Sequence, residues 1–135
     1  MSVIVTDTGF GKDDWASGFA SLNGTANNVI ALDLSSDTDP TALVGRLDSV
    51  RIIRVDFPSY LDGRGFTIAR QLRLMGYQGR LRAKGHVISD QYAMARRCGF
   101  DEIEISEALA PRQPEEDWLF RANWQDNDYQ SRLRG

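Results

Sequence analysis

Asp62–Lys84 reads DGRGFTIARQLRLMGYQGRLRAK, a turn, then a helix, then a strand, and this order sets the fold expected of the whole chain. From Arg64 to Met75 the apolar residues Ile68, Ala69, Leu72 and Met75 recur at helical spacing, with Arg70 and Arg73 off that stripe. Gly76 is a natural C-terminal stop. Arg80–Lys84 (RLRAK) then alternates basic with apolar residues, so Leu81 and Ala83 share one face of a strand.

The same pattern extends both ways. Upstream, Arg51–Phe57 (RIIRVDF) is a strand closed by Pro58, and Asn28–Leu34 (NVIALDL) is another. Between them Asp39, as N-cap, and Pro40, at the first helical position, open a short helix with Leu43, Val44 and Leu47 on its apolar face. Downstream, Ser89 or Asp90 caps a helix running to Cys98, with Ile88, Tyr92 and Ala95 in line; Gly99 ends it, and Asp101–Ile105 (DEIEI) is the last strand. The expectation is a single α/β domain: a mainly parallel sheet of about four strands in β-α-β-α-β-α-β order, with Ser2–Thr6 (SVIVT) adding at an edge. Gly9–Asp14 (GFGKDD) reads as a turn, with Trp15 buried after it. Residues 1–110 form the domain. Residues 111–135 are an acidic tail with Trp118, Phe120, Trp124 and Tyr129, in which Phe120 and Trp124 are four apart, as on one side of a helix. That tail packs on the domain, or its aromatics serve a partner or a homodimer.

Charge is segregated along the chain. Residues 51–100 hold ten Lys/Arg against three acids, whereas the remainder holds six basic and sixteen acidic residues, so a net charge of −3 conceals a basic middle between acidic ends. Such a middle suits an anionic ligand or an acidic partner. A length of 135 residues with 41% hydrophobic and 26% charged content fits one soluble domain. No apolar run approaches the ~20 residues that cross a bilayer, and MSVIVTDTGFGKDDW lacks the form of a secretory signal, so a cytoplasmic protein is expected. The lone Cys98 excludes an internal disulfide and any site needing several thiolates of one chain. A sequence pI near 5.1 argues against general nucleic-acid binding.

Several residues are candidates for function, each with a plainer alternative. Gly63, Arg64 and Gly65 sit at the C-terminal end of a core strand and the start of a helix, where free amides and a guanidinium favour an anion; alternatively Asp62 is an N-cap bonded to the Gly65 amide and the glycines serve a tight turn. Arg82 and Lys84 suit an oxyanion clamp; alternatively they lie on an edge strand and pair with Glu102 and Glu104. His86, the single histidine, and Asp56 are candidate acid–base groups, or respectively a loop histidine and an arginine partner. Cys98 reads as packed and inert. No histidine-based metal site is expected.

The string FPSYLDGRGFTIARQLRLMGYQGRLRAKGHVISDQYAMARRCGFDEIEI resembles the centre of a bacterial domain-of-unknown-function family, number 934. The resemblance rests on Phe57, Asp62 to Phe66, Ala69, Arg70, Gly76, Tyr77, Gly79, Leu81 to Ala83, Gly85, Val87, Asp90, Gln91 and Arg97 to Phe100, with Thr67 where serine is usual. Members are commonly labelled oxidoreductases of sulfite reduction, because their genes accompany those for sulfite reductase and phosphoadenylyl-sulfate reductase. The resemblance therefore implies an accessory protein of assimilatory sulfite reduction that binds an oxyanion, a nucleotide or one of those reductases. The chain has no flavin or nicotinamide fingerprint, and no cofactor is expected. Two other readings stay open: a small enzyme with Asp56 and His86 as acid–base groups and Arg82 as oxyanion anchor, and a docking module without a small-molecule site. Both site readings require Arg64, Arg82, Lys84 and His86 to converge on one concavity.

Overall fold

Branched apolar residues in period-two alternation form the central strands, and a computed structural model of the chain places them in a sheet of seven among residues 2–15, 17–21 and 30–122, the residues described. The strands are β1 (Ser2–Thr6), β2 (Gly9–Lys12), β3 (Ala20–Ser21), β4 (Ala31–Leu34), β5 (Ile52–Phe57), β6 (Arg80–Gly85) and β7 (Glu102–Ser106). The helices are α1 (Arg64–Leu74), α2 (Tyr92–Cys98) and α3 (Glu115–Phe120). The strand order is β2-β1-β7-β6-β5-β4-β3; β3 to β7 are mutually parallel, and β1 runs antiparallel to both β2 and β7.

The expected count of about four strands is thus too low. Gly9–Lys12 is strand β2 rather than turn, because pairing with β1 overrides its two glycines. The expected helix after Pro40 is one 3-10 turn, Pro40–Leu43, although Asp39 caps it as anticipated by accepting from the Thr41 amide at 3.0 Å. The expected strand positions Asn28 and Val29, and the tail aromatics Trp124 and Tyr129, lie outside the described residues.

From β3 to β7 the chain steps one strand at a time in a single direction, without the reversal that makes a ligand crevice in doubly wound sheets. The helices consequently cover one face. Leu32, Ile53, Val55, Leu81, Ala83 and Ile103 point from the sheet into the core, where α1 supplies Phe66, Ile68, Ala69 and Leu72, α2 supplies Tyr92 and Ala95, and α3 supplies Trp118. Each such large side chain contributes roughly 1.5–3 kcal/mol by burial. Trp118 is 1% exposed, with its ring edge-on to Tyr92 at 6.0 Å and its Nε1 donating to the Gln113 carbonyl.

Alternate residues face the other way, and most of those on β4 to β7 are ionic. The edge strands β2 and β3 lie on opposite sides of the sheet but are neighbours in sequence, so the chain between Lys12 and Ala20 crosses this second face. Six strand spacings amount to ~29 Å on a flat sheet, and eight residues reach ~26–29 Å when extended. The crossing leaves little slack. Asp13, Asp14 and Phe19 pin it to β5 and β6.

Candidate functional site

Arg82 is the centre of the ionic face. Register sets Asp33, Arg54, Arg82 and Glu102 side by side across β4 to β7, so opposite charges meet. Arg82 is 0% exposed. Its Nε donates to Glu102 at 2.6 Å, and its Nη1 donates to Glu104 and to Asp13, each at 3.0 Å. Its Nη2 has no hydrogen-bond acceptor; Asp14 is 3.7 Å away. Burial works against the Arg82 charge, but Glu102 and Glu104 outweigh it and hold the guanidinium pKa above its ordinary value. Arg54 bridges Asp33 and Glu104, and Arg80 bridges Glu102 and Asp14. The hydrogen bond from Arg80 holds the Asp14 carboxyl below the usual range. Three guanidiniums are therefore met by five carboxylates, which leaves this face no appetite for an anion. Arg82 lies on a central strand rather than an edge, and the carboxylates of Glu102 and Glu104 are its partners.

The DGRG turn is separate from this face. Arg64 is held by Asp62 through two bonds, Nε to Oδ1 at 2.9 Å and Nη2 to Oδ2 at 2.7 Å, and also donates to Ser36. These contacts push the Asp62 carboxyl well below its usual range. Asp62 accepts from the Arg64 amide, not from that of Gly65. Gly65 lies against Phe57: a Cβ there would sit 2.4 Å from Phe57 Cζ. Its lack of a side chain serves helix-on-strand packing. The shallow cavity beside Arg64 is lined by Asp37 and Asp39.

Lys84 and Asp56 are register neighbours, both exposed, on the ionic side at the end of β6 and β5. His86 follows the Gly85 turn and stands edge-on to Tyr60 at 5.3 Å, in a cavity of about 280 Å³ with Ser106, Leu109 and Arg112. Among the described residues, Arg64, Arg82, Lys84 and His86 do not share a concavity, and no hydrogen bond joins Asp56 to His86. General acid–base work requires such reach. Cys98 is half-buried, and burial pushes its thiol up. Among the described residues no three His, Cys, Asp or Glu side chains are arranged to hold a metal ion, and no helix is long and apolar enough to cross a membrane.

Two features were not anticipated from the residues. Arg112 joins His86, although it belongs by sequence to the tail. A groove of about 450 Å³ between α1 and α2 is lined by Tyr60, Leu61, Phe66, Arg70, Met94 and Cys98, and its rim is apolar: Leu61 is 95% exposed and Met94 52%. An apolar residue inside the polar turn, Leu61, was the available signal.

No curated protein and no solved structure matches the chain. A family described as bacterial protein of unknown function matches residues 31–134, which takes in β4 to β7, all three helices, the groove and the His86 cavity, but not the β1–β2 hairpin or the crossing segment. The chain belongs to that family, DUF934.

Proposed function

We propose that the chain is an accessory protein of assimilatory sulfite reduction, which docks onto sulfite reductase or phosphoadenylyl-sulfate reductase through the α1–α2 groove. The observation that carries this reading is Leu61, 95% exposed beside Met94 at the mouth of that groove. Contiguous exposed apolar surface on a small domain favours a partner, and interface cores are enriched in aromatic residues, Met and Arg, the types Tyr60, Met94 and Arg70 supply. Arg70 is exposed and forms no ion pair among the described residues, which suits an acidic counterpart. Leu74, four residues on along the same side of α1 and 77% exposed, extends the apolar strip. The sulfur context comes from the family resemblance. Docking also accommodates a chain whose arginines are largely consumed by its own carboxylates.

Surface plasmon resonance with each purified reductase tests this. Saturable binding is expected to one of them, weakened about tenfold or more by Leu61→Asp or Met94→Asp, as for central interface residues. Both positions are exposed, so these variants keep the fold. Binding to neither enzyme, or binding indifferent to both substitutions, refutes the reading.

A further inference from the structure

We propose that the cavity at the end of β6, beside His86, is a binding site for a small free oxyanion such as sulfite, sulfate or phosphate. The turn is built by Gly85, whose φ of 113° is left-handed and whose Cβ, if present, would sit 2.6 Å from the Phe57 carbonyl oxygen. That close approach lets the His86 amide donate to the same carbonyl at 2.9 Å and fixes the start of the loop. Tyr60 meets the imidazole edge-on and fixes the ring. Ser106 Oγ accepts from the Leu109 amide at 3.1 Å, which leaves its own proton to donate. Arg112 ends the 3-10 turn Ala110–Arg112 and is exposed, and its side chain forms no hydrogen bond or ion pair among the described residues.

The residues that line the cavity carry donors: the Arg112 guanidinium, the His86 imidazole, the Ser106 hydroxyl and the Tyr60 phenol. No carboxylate lines it, and Glu107, between Ser106 and Ala108, stays outside. This is the reverse of the ionic face, where every guanidinium has carboxylates, and of the Arg64 cavity, which Asp37 and Asp39 line. Forked donation by arginine matches a planar or tetrahedral oxyanion. A volume of about 280 Å³ falls just short of the ~300–1,000 Å³ that houses drug-sized ligands.

Isothermal titration of the chain alone, with sodium sulfite, sulfate and phosphate against chloride at constant ionic strength, tests the site. One-site binding of at least one oxyanion is expected. Arg112→Ala and His86→Asn should each weaken it about tenfold, the effect of losing one charge-assisted contact. Arg64→Ala and Leu61→Asp should leave it within twofold, so failure here is distinct from failure of the docking reading. Absence of binding by the wild-type chain, equal heats with chloride, or dissociation constants unchanged in both Arg112→Ala and His86→Asn would overturn the proposal.

Discussion

Replacing Arg82 by methionine separates a structural arginine from a ligand anchor. Arg82 is 0% exposed and touches Glu102, Glu104 and Asp13 at 2.6–3.0 Å. Methionine keeps the bulk of the stem and removes the charge. Glu102, with its side chain 7% exposed, then keeps Arg80, and Glu104, 5% exposed, keeps Arg54 and Ser2. Removing one partner of a buried ion pair costs about 3–5 kcal/mol, and here Glu102, Glu104 and Asp13 each lose a contact. A chain of 135 residues has a total stability of roughly 7–20 kcal/mol, so the variant folds but is visibly weakened. At about 3–5 °C per kcal/mol for this size, the melting temperature should fall by ~10–20 °C. Urea unfolding followed by tryptophan fluorescence at pH 7 gives the free energy directly, with an unchanged m-value as the sign that only stability moved. An arginine that waits for a ligand would give the opposite result, because removing it costs the empty protein little. A deficit below about 1 kcal/mol would sink the assignment of Arg82 to the fold. The pH dependence is a second check. Wild type should lose stability only on stronger acidification. The Asp14 carboxyl is held low by Arg80, and its stability contribution is complete above the ordinary value of about 4 and lost as pH falls below it.

The two glycines of the DGRG turn should behave differently. Gly65→Ala drives a methyl to 2.4 Å from Phe57 Cζ, an overpacking worth about 1–3 kcal/mol, whereas Gly63→Ala meets nothing closer than Phe66 at 4.0 Å and should be neutral within about 0.5 kcal/mol in urea unfolding. Equal effects would mean that something other than the Phe57 contact selects glycine. In the tail, Trp118→Ala should cost about 3–5 kcal/mol by loss of a buried ring, while Phe120→Ala, at a position 74% exposed, should stay within about 0.5 kcal/mol; thermal unfolding distinguishes them.

The central strands and α1 were readable because their signals are local. Period-two alternation marks Ile52–Phe57 and Arg80–Gly85, and Gly76 marks the end of α1. The alternation of RLRAK also announced an ionic side, and Glu102 and Glu104 were legible as its partners. Asp13 and Asp14 were not, because they reach Arg80 and Arg82 across 66 and 69 residues of sequence, and nothing in GFGKDD signals so distant a contact. Strand β2 was missed for a related reason: its two glycines argue against a strand, and pairing with β1 decides the matter. The order of the strands has no local signal at all, so a winding without reversal could not be read, and with it went the assumption that Gly63–Gly65 border a ligand crevice. The site suffered most from charge counting. Arginines clustered in sequence proved to be dispersed in space and largely neutralised, while Arg112, set apart in an acidic segment, stands beside His86.

The crossing of the sheet between Lys12 and Ala20 bears on the order in which the chain can be assembled during synthesis. β1 is made before the other strands and lies against β7, made after them: Ser2 donates to Glu104 across 102 residues. The β1–β2 hairpin cannot find its inner neighbour until β7 has emerged, and Asp13 and Asp14 have no Arg80 and Arg82 to hold until β6 is present. Assembly during synthesis therefore favours a start in the β4–β7 half with the amino-terminal residues recruited afterwards, the reverse of their order of birth. Contacts of such long sequence separation slow folding. In the interval the β7 edge is open to pairing with other chains.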